Sequence, residues 1–96
     1  MPTLYTETGR RYSVKPKRPR YGFTLEELYN LLKCKTIQIV GPNKNGILMI
    51  CDEEGKIRTD RKPVVNEAGT KWMWEHFRVN DTVVGRVLFC GSRFIK

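Results

Sequence analysis

Two stretches of the chain carry side chains that could do chemistry. Residues 10–21, RRYSVKPKRPRY, set Arg10, Arg11, Lys15, Lys17, Arg18 and Arg20 among Tyr12 and Tyr21. Cations interleaved with aromatic rings suit neutralisation of a phosphate backbone combined with stacking of bases. Arg10, Arg11, Lys15, Lys17, Arg18, Arg20 and Tyr21 are therefore the candidate nucleic-acid-binding set. The stretch matches no named nucleic-acid motif, and phosphate contacts alone carry no sequence specificity. A solvated basic arm that docks on an acidic partner fits the same residues.

The second stretch, TKWMWEHF at residues 70–77, holds both tryptophans and the one histidine. As a helix it puts Ala68, Trp72, Met73, His76 and Phe77 on one broad face and leaves Trp74 beyond its edge. As a strand it would align Trp72, Trp74 and His76 on one side, an arrangement able to stack bases. Burial accounts for Trp72, Met73 and Phe77 in the helical case, because aromatic stripes mostly serve a core. Trp74 is left over, either covered by the basic arm or exposed beside Lys71 and Arg78. Trp74, Lys71 and Arg78 form the candidate partner-binding set.

Other chemistry is not indicated. His76 has Glu75 beside it but no second histidine, which makes neither a metal site nor a catalytic dyad. The carboxylates of DEEGK, residues 52–56, sit in a turn where solvated charge is ordinary. GPNKNG, residues 41–46, has the outer spacing of a phosphate loop, but Ile47 follows where the lysine and hydroxyl should be. Cys34, Cys51 and Cys90 are odd in number and form no CxxC pair. They read as reduced, partly buried thiols rather than as disulfides or zinc ligands. No catalytic residue, cofactor or metal is expected, and the chain does not read as an enzyme.

The elements that must position these residues can be read in order. Ninety-six residues, 40% of them hydrophobic, predict one domain: an amino-terminal hairpin and basic arm over 1–22, then a compact core over 23–96. The net charge of +8 is concentrated at the ends, with six basic residues against Glu7 in residues 1–24. Short strands are predicted at 3–6 and 10–14, followed by an extended, solvated connector through Pro16 and Pro19.

Thr24-Leu-Glu-Glu27 is a capping box, and the leucines after it recur at helical spacing, predicting a helix over 25–33 with Phe23 stapled onto Leu28. TIQIV at 36–40 reads as a half-buried strand, ILMIC at 47–51 as a strand buried on both faces, and KIRT at 56–59 as the third strand of a meander. Asn45-Gly46 marks a hairpin turn, Asn66 caps a second helix that Asn80-Asp81 closes, and residues 83–89 form the last strand with a bulge or close approach at Gly85. The predicted core is Leu25, Leu28, Leu32, Ile37, Ile39, Leu48, Ile50, Trp72, Phe77, Val84, Val87 and Phe89. Membrane spans and a secretory signal are not indicated, so a cytoplasmic setting is expected.

The ordered set LEEL at 25–28, DEEGK at 52–56, Asn66 with Ala68, and VGRVL at 84–88 resembles a family of uncharacterised small proteins classed as a domain of unknown function. The resemblance runs from about Thr24 to Cys90. It implies a compact α+β domain and an origin in phages, plasmids or conjugative elements, and it transfers no activity or catalytic residue. By analogy with small proteins from such elements, it also implies an accessory or anti-defence role through a host protein. The sequence thus predicts an α+β fold, a small mostly antiparallel sheet with two helices packed against it. The expected function is a non-enzymatic interaction module that binds a host protein, with nucleic acid as the alternative partner of the basic arm.

Overall fold

The computed structural model describes residues 2–57 and 62–95. Strands β1 (Thr3–Tyr5) and β2 (Arg11–Ser13) form the predicted hairpin, turned where Gly9 takes a φ of +88°. Helix α1 (Leu25–Leu32) follows, then β3 (Ile37–Val40) and β4 (Ile47–Asp52), helix α2 (Glu67–Phe77), β5 (Val87–Gly91) and a 3-10 turn at Ser92–Phe94. The five strands make one sheet in the order β2-β1-β5-β4-β3, with every pairing antiparallel. The fold is α+β.

Cross-strand register sorts the side chains by face. Tyr12, Leu4, Leu88, Ile50 and Ile39 lie in one row across the sheet, and Leu4, Leu88 and Ile50 join Leu28 and Leu32 of α1 in one core cluster. The neighbouring row of Phe89, Met49 and Val40 lies on the opposite face, where Met49, Cys51, Val83 and Val87 pack with Trp72 and Met73 of α2. The helices therefore cover opposite faces, and the molecule has three layers. That is why ILMIC is apolar at successive positions: β4 has a hydrophobic cover on both sides.

Helix α2 hangs on one amide. Asn66 is 1% exposed, and its Oδ1 accepts from Gly69 N (3.0 Å), so it caps the helix as the sequence predicts. Its Nδ2 donates to Tyr5 O (3.1 Å) and Gly85 O (2.8 Å), and its backbone N donates to Val83 O (2.7 Å). A single side chain thus joins α2 to β1 and to the segment entering β5. Three residues on, Gly69 lets the helix approach the sheet closely: a Cβ there would lie 3.0 Å from Val87 Cγ2 and 3.1 Å from Val83 Cγ1.

Several expectations are corrected. Leu25 is 59% exposed, since the buried stripe of α1 is centred on Leu28 and Leu32 and Leu25 stands at its edge. Ile39 is 45% exposed because β3 is an edge strand, and Phe77 is exposed at the last residue of α2. The core instead recruits Leu4, Phe23, Met49 and Leu88, together with the three cysteines. The last strand starts at Val87, not at 83, because Gly85 turns the chain at a φ of +79° and Val84 bridges to Val65.

Helix α1 stops at Leu32, where Lys33 takes a left-handed φ of 52°. Helix α2 ends in the same manner at Arg78, before Asn80-Asp81. Of the strand expected at 56–59, Lys56 and Ile57 lie in a turn and the remainder lies outside the described residues.

Replacing Asn66 by Ala removes the cap and leaves two carbonyls without their donor, and should cost on the order of 2–4 kcal/mol in urea unfolding. Asn66→Asp keeps the acceptor but loses both donors and buries a charge, so it should be no more stable than Asn66→Ala. An Asn66→Asp midpoint equal to wild type would mean that the two donated bonds contribute nothing.

Candidate functional site

The capping box that starts α1 also fastens the basic arm. Thr24 Oγ1 accepts from Glu27 N (3.1 Å), and Glu27 Oε1 accepts from Thr24 N (3.0 Å). The second carboxylate oxygen, Oε2, accepts from Lys17 N (2.9 Å), ten residues upstream. Pro16 beside it is buried, so the arm is not the wholly solvated connector expected from its prolines and cations. The arm is fixed further at each end, by Val14 N donating to Pro2 O (3.0 Å) and Phe23 N donating to Phe94 O (2.8 Å). Between these points a turn at residues 18–21, closed by Tyr21 N donating to Arg18 O (2.9 Å), carries the chain back to α1.

An arm held at both ends and at Lys17 leaves a groove between itself and the helix. Its volume is about 600 Å³, within the usual size range of ligand sites. Lys15, Lys17, Arg18 and Tyr21 line it from the arm; Glu26, Glu27, Asn30 and Leu31 line it from α1. Tyr21 is 62% exposed. Among the described residues Lys15, Lys17 and Arg18 make no salt bridge, though the Lys17 charge acts on the Glu27 carboxylate. The Glu27 carboxyl is held below the usual glutamate range, first by the hydrogen bond from the Lys17 backbone and then by that from Thr24. The arm is therefore docked on an ionised group.

Of the seven residues predicted to bind nucleic acid, four come together here: Lys15, Lys17, Arg18 and Tyr21. Arg10 and Arg11 belong to the β1-β2 hairpin, and they and Arg20 do not line the groove. The facing wall was missed because Glu26 and Asn30 read as ordinary helix surface and Leu31 as one of the leucines of the apolar stripe. The sequence signal that bears on the groove is Glu27, whose capping role is legible but whose second partner is not.

Lys71, Trp74 and Arg78 occupy a different place. The stretch 70–77 is helical, so the extended row of Trp72, Trp74 and His76 does not form. Trp72 turns to the sheet, its ring centroid 5.4 Å from that of Phe89 and 5.1 Å from that of His76. Trp74 is 49% exposed and has the Arg78 guanidinium 5.4 Å from its ring centre, while Lys71 pairs with Glu75 at 3.6 Å. The arm packs with α1, on the other side of the sheet from α2, so it does not cover Trp74. His76 Nδ1 lies 3.4 Å from Asn43 Nδ2 in the turn before β4.

Among the described residues no three His, Cys, Asp or Glu side chains are grouped to hold a metal ion. No helix there is long and apolar enough to cross a membrane. Cys34, Cys51 and Cys90 are all buried, and none of the three is joined in a disulfide. Burial pushes the Cys51 and Cys90 thiols up to about 11.

The family model described as Domain of unknown function (DUF3846) matches residues 4–94, and the chain belongs to that family. The match takes in the hairpin and the basic arm, which lie outside the span of the resemblance read from the sequence. No curated protein and no solved structure matches the chain.

The lowered pKa of Glu27 fixes the sign of a pH effect. A carboxylate whose folded pKa is depressed contributes stability that is full above its unfolded value and is lost as pH falls through the folded one. The Lys17 amide should accordingly lose protection as pH drops below the ordinary glutamate range. Amide exchange by NMR would show this, and a Lys17 amide that stays protected through that titration would exclude the Glu27 contact as its cause.

Thiols shifted to about 11 are almost wholly protonated at neutral pH. Ellman's reagent should therefore react with the cysteines slowly in the native protein and rapidly with all three in urea. Fast modification of a native cysteine would contradict the burial described.

Proposed function

We propose that this member of the DUF3846 family is a non-enzymatic interaction module that binds a segment of another protein in the groove between the basic arm and α1. The observation that carries the reading is the groove itself: a preformed cleft with an exposed aromatic ring and charges of both signs on facing walls. Preformed sites of this kind avoid most of the ordering cost of association, because the protein side is already held. Here the holding is done by backbone hydrogen bonds and by Glu27, leaving the side chains of Lys15, Lys17, Arg18 and Tyr21 available.

The genomic setting implied by the sequence resemblance makes a host protein the partner and an accessory role in a mobile element, including an anti-defence role, the biological context. That part of the reading rests on analogy. Binding of nucleic acid through the same cations is the competing reading.

Selection of a displayed random-peptide library on the folded protein separates the two. The peptides recovered should shift backbone amides of residues 15–31 in NMR spectra and leave the outer face of α2 around Trp74 unchanged. Recovery of no peptide, together with salt-steep binding of single- or double-stranded nucleic acid, would replace this reading with the nucleic-acid one.

A further inference from the structure

The charges on the two walls specify the chemistry of the segment, granted that the groove is a protein-binding site. On the arm stand three cations, Lys15, Lys17 and Arg18, none of them in a salt bridge among the described residues, though the Lys17 charge acts on Glu27. On the helix stand Glu26 and Glu27, and both oxygens of Glu27 already accept backbone N–H groups. The lining charge is therefore net positive, with three cations along the arm's side against two carboxylates on the helix. Tyr21 and Leu31 supply apolar surface from opposite walls.

We infer that the groove takes an acidic peptide segment of a partner protein, with its Asp or Glu side chains against Lys15, Lys17 and Arg18 and an apolar side chain against Tyr21 and Leu31. Charge complementarity selects this occupant over a neutral or basic one. A nucleic-acid strand fits less well, because its phosphates would have to pass the carboxylates of Glu26 and Glu27. The cations also fail to make one track, since Arg10, Arg11 and Arg20 lie outside the groove. A peptide can instead turn its carboxylates to the arm and its backbone N–H groups to Asn30 on the helix wall.

The outer face of α2 offers no comparable charge. There Arg78 sits over Trp74 and Lys71 pairs with Glu75.

The test uses fluorescein-labelled synthetic peptides on the full chain: one rich in Asp and Glu around a central Trp, one with Gln in place of each acid, and an oligothymidylate as a nucleic-acid probe. The acidic peptide should bind best. Its affinity should fall about tenfold when Lys15, Lys17 and Arg18 are changed together to Ser, as expected for three exposed ion pairs. Loss of binding through misfolding is guarded against by Glu26→Lys, which removes a repelling carboxylate and should raise affinity for the acidic peptide.

Equal binding of the acidic and Gln peptides, both weakened by Tyr21→Ala, would overturn the acidic specificity while keeping the groove as a protein-binding site. Oligothymidylate binding that displaces the acidic peptide and disappears in the triple variant would overturn the inference in favour of nucleic acid. No gain from Glu26→Lys, with the acidic peptide bound elsewhere, would also overturn it.

Discussion

The sheet and α2 are joined through a polar group that has no access to water. The Asn66 side chain makes three hydrogen bonds, to the α2 amino terminus, to β1 and to the segment entering β5, and its backbone N makes a fourth. A buried amide left without partners would be costly, so every element it touches is constrained to one arrangement. With α2 so placed, Gly69 rests against Val83 and Val87, and Trp72 and Met73 close the second core cluster. The face of the sheet under α2 is thereby made dry, and β4 can be apolar on both sides.

Glu27 plays the corresponding part on the other face, at the surface. Its carboxylate completes the cap of α1 with one oxygen and holds the arm with the other. The start of the helix and the path of the arm are thus tied to the same side chain. What results is a groove whose walls come from segments ten residues apart in sequence, with the arm's backbone spent on attachment and its side chains free for other uses. The division explains how a proline-rich, cationic stretch can be docked on the fold and still present Lys15, Lys17 and Arg18 outward.

The charge distribution acquires meaning through this partition. Six cations in the first 24 residues look like one basic patch, yet the hairpin carries Arg10 and Arg11 while the groove takes Lys15, Lys17 and Arg18. The two tryptophans are divided in the same way: Trp72 faces the sheet as part of the packing, and Trp74 faces solvent beneath Arg78. Neighbours in sequence were assigned different tasks by the helical period and by which face found a cover.

Features set by local chemistry were legible without coordinates. The capping box marks the start of α1, Asn66 caps α2, Gly46 takes the positive φ expected in the turn before β4, and the unbroken apolar run of β4 announces cover on both faces. Each depends on residues a few positions apart, where backbone geometry leaves few choices. Other features came only with the tertiary structure: the helices on opposite faces, the exposure of Leu25 and Ile39, the late start of β5, the donated bonds of Asn66 and the second partner of Glu27. Periodicity states which side chains share a face, but not what covers that face or where it ends. The groove belongs to this second group, because it is a space between two segments, and a space exists only once both walls have been placed.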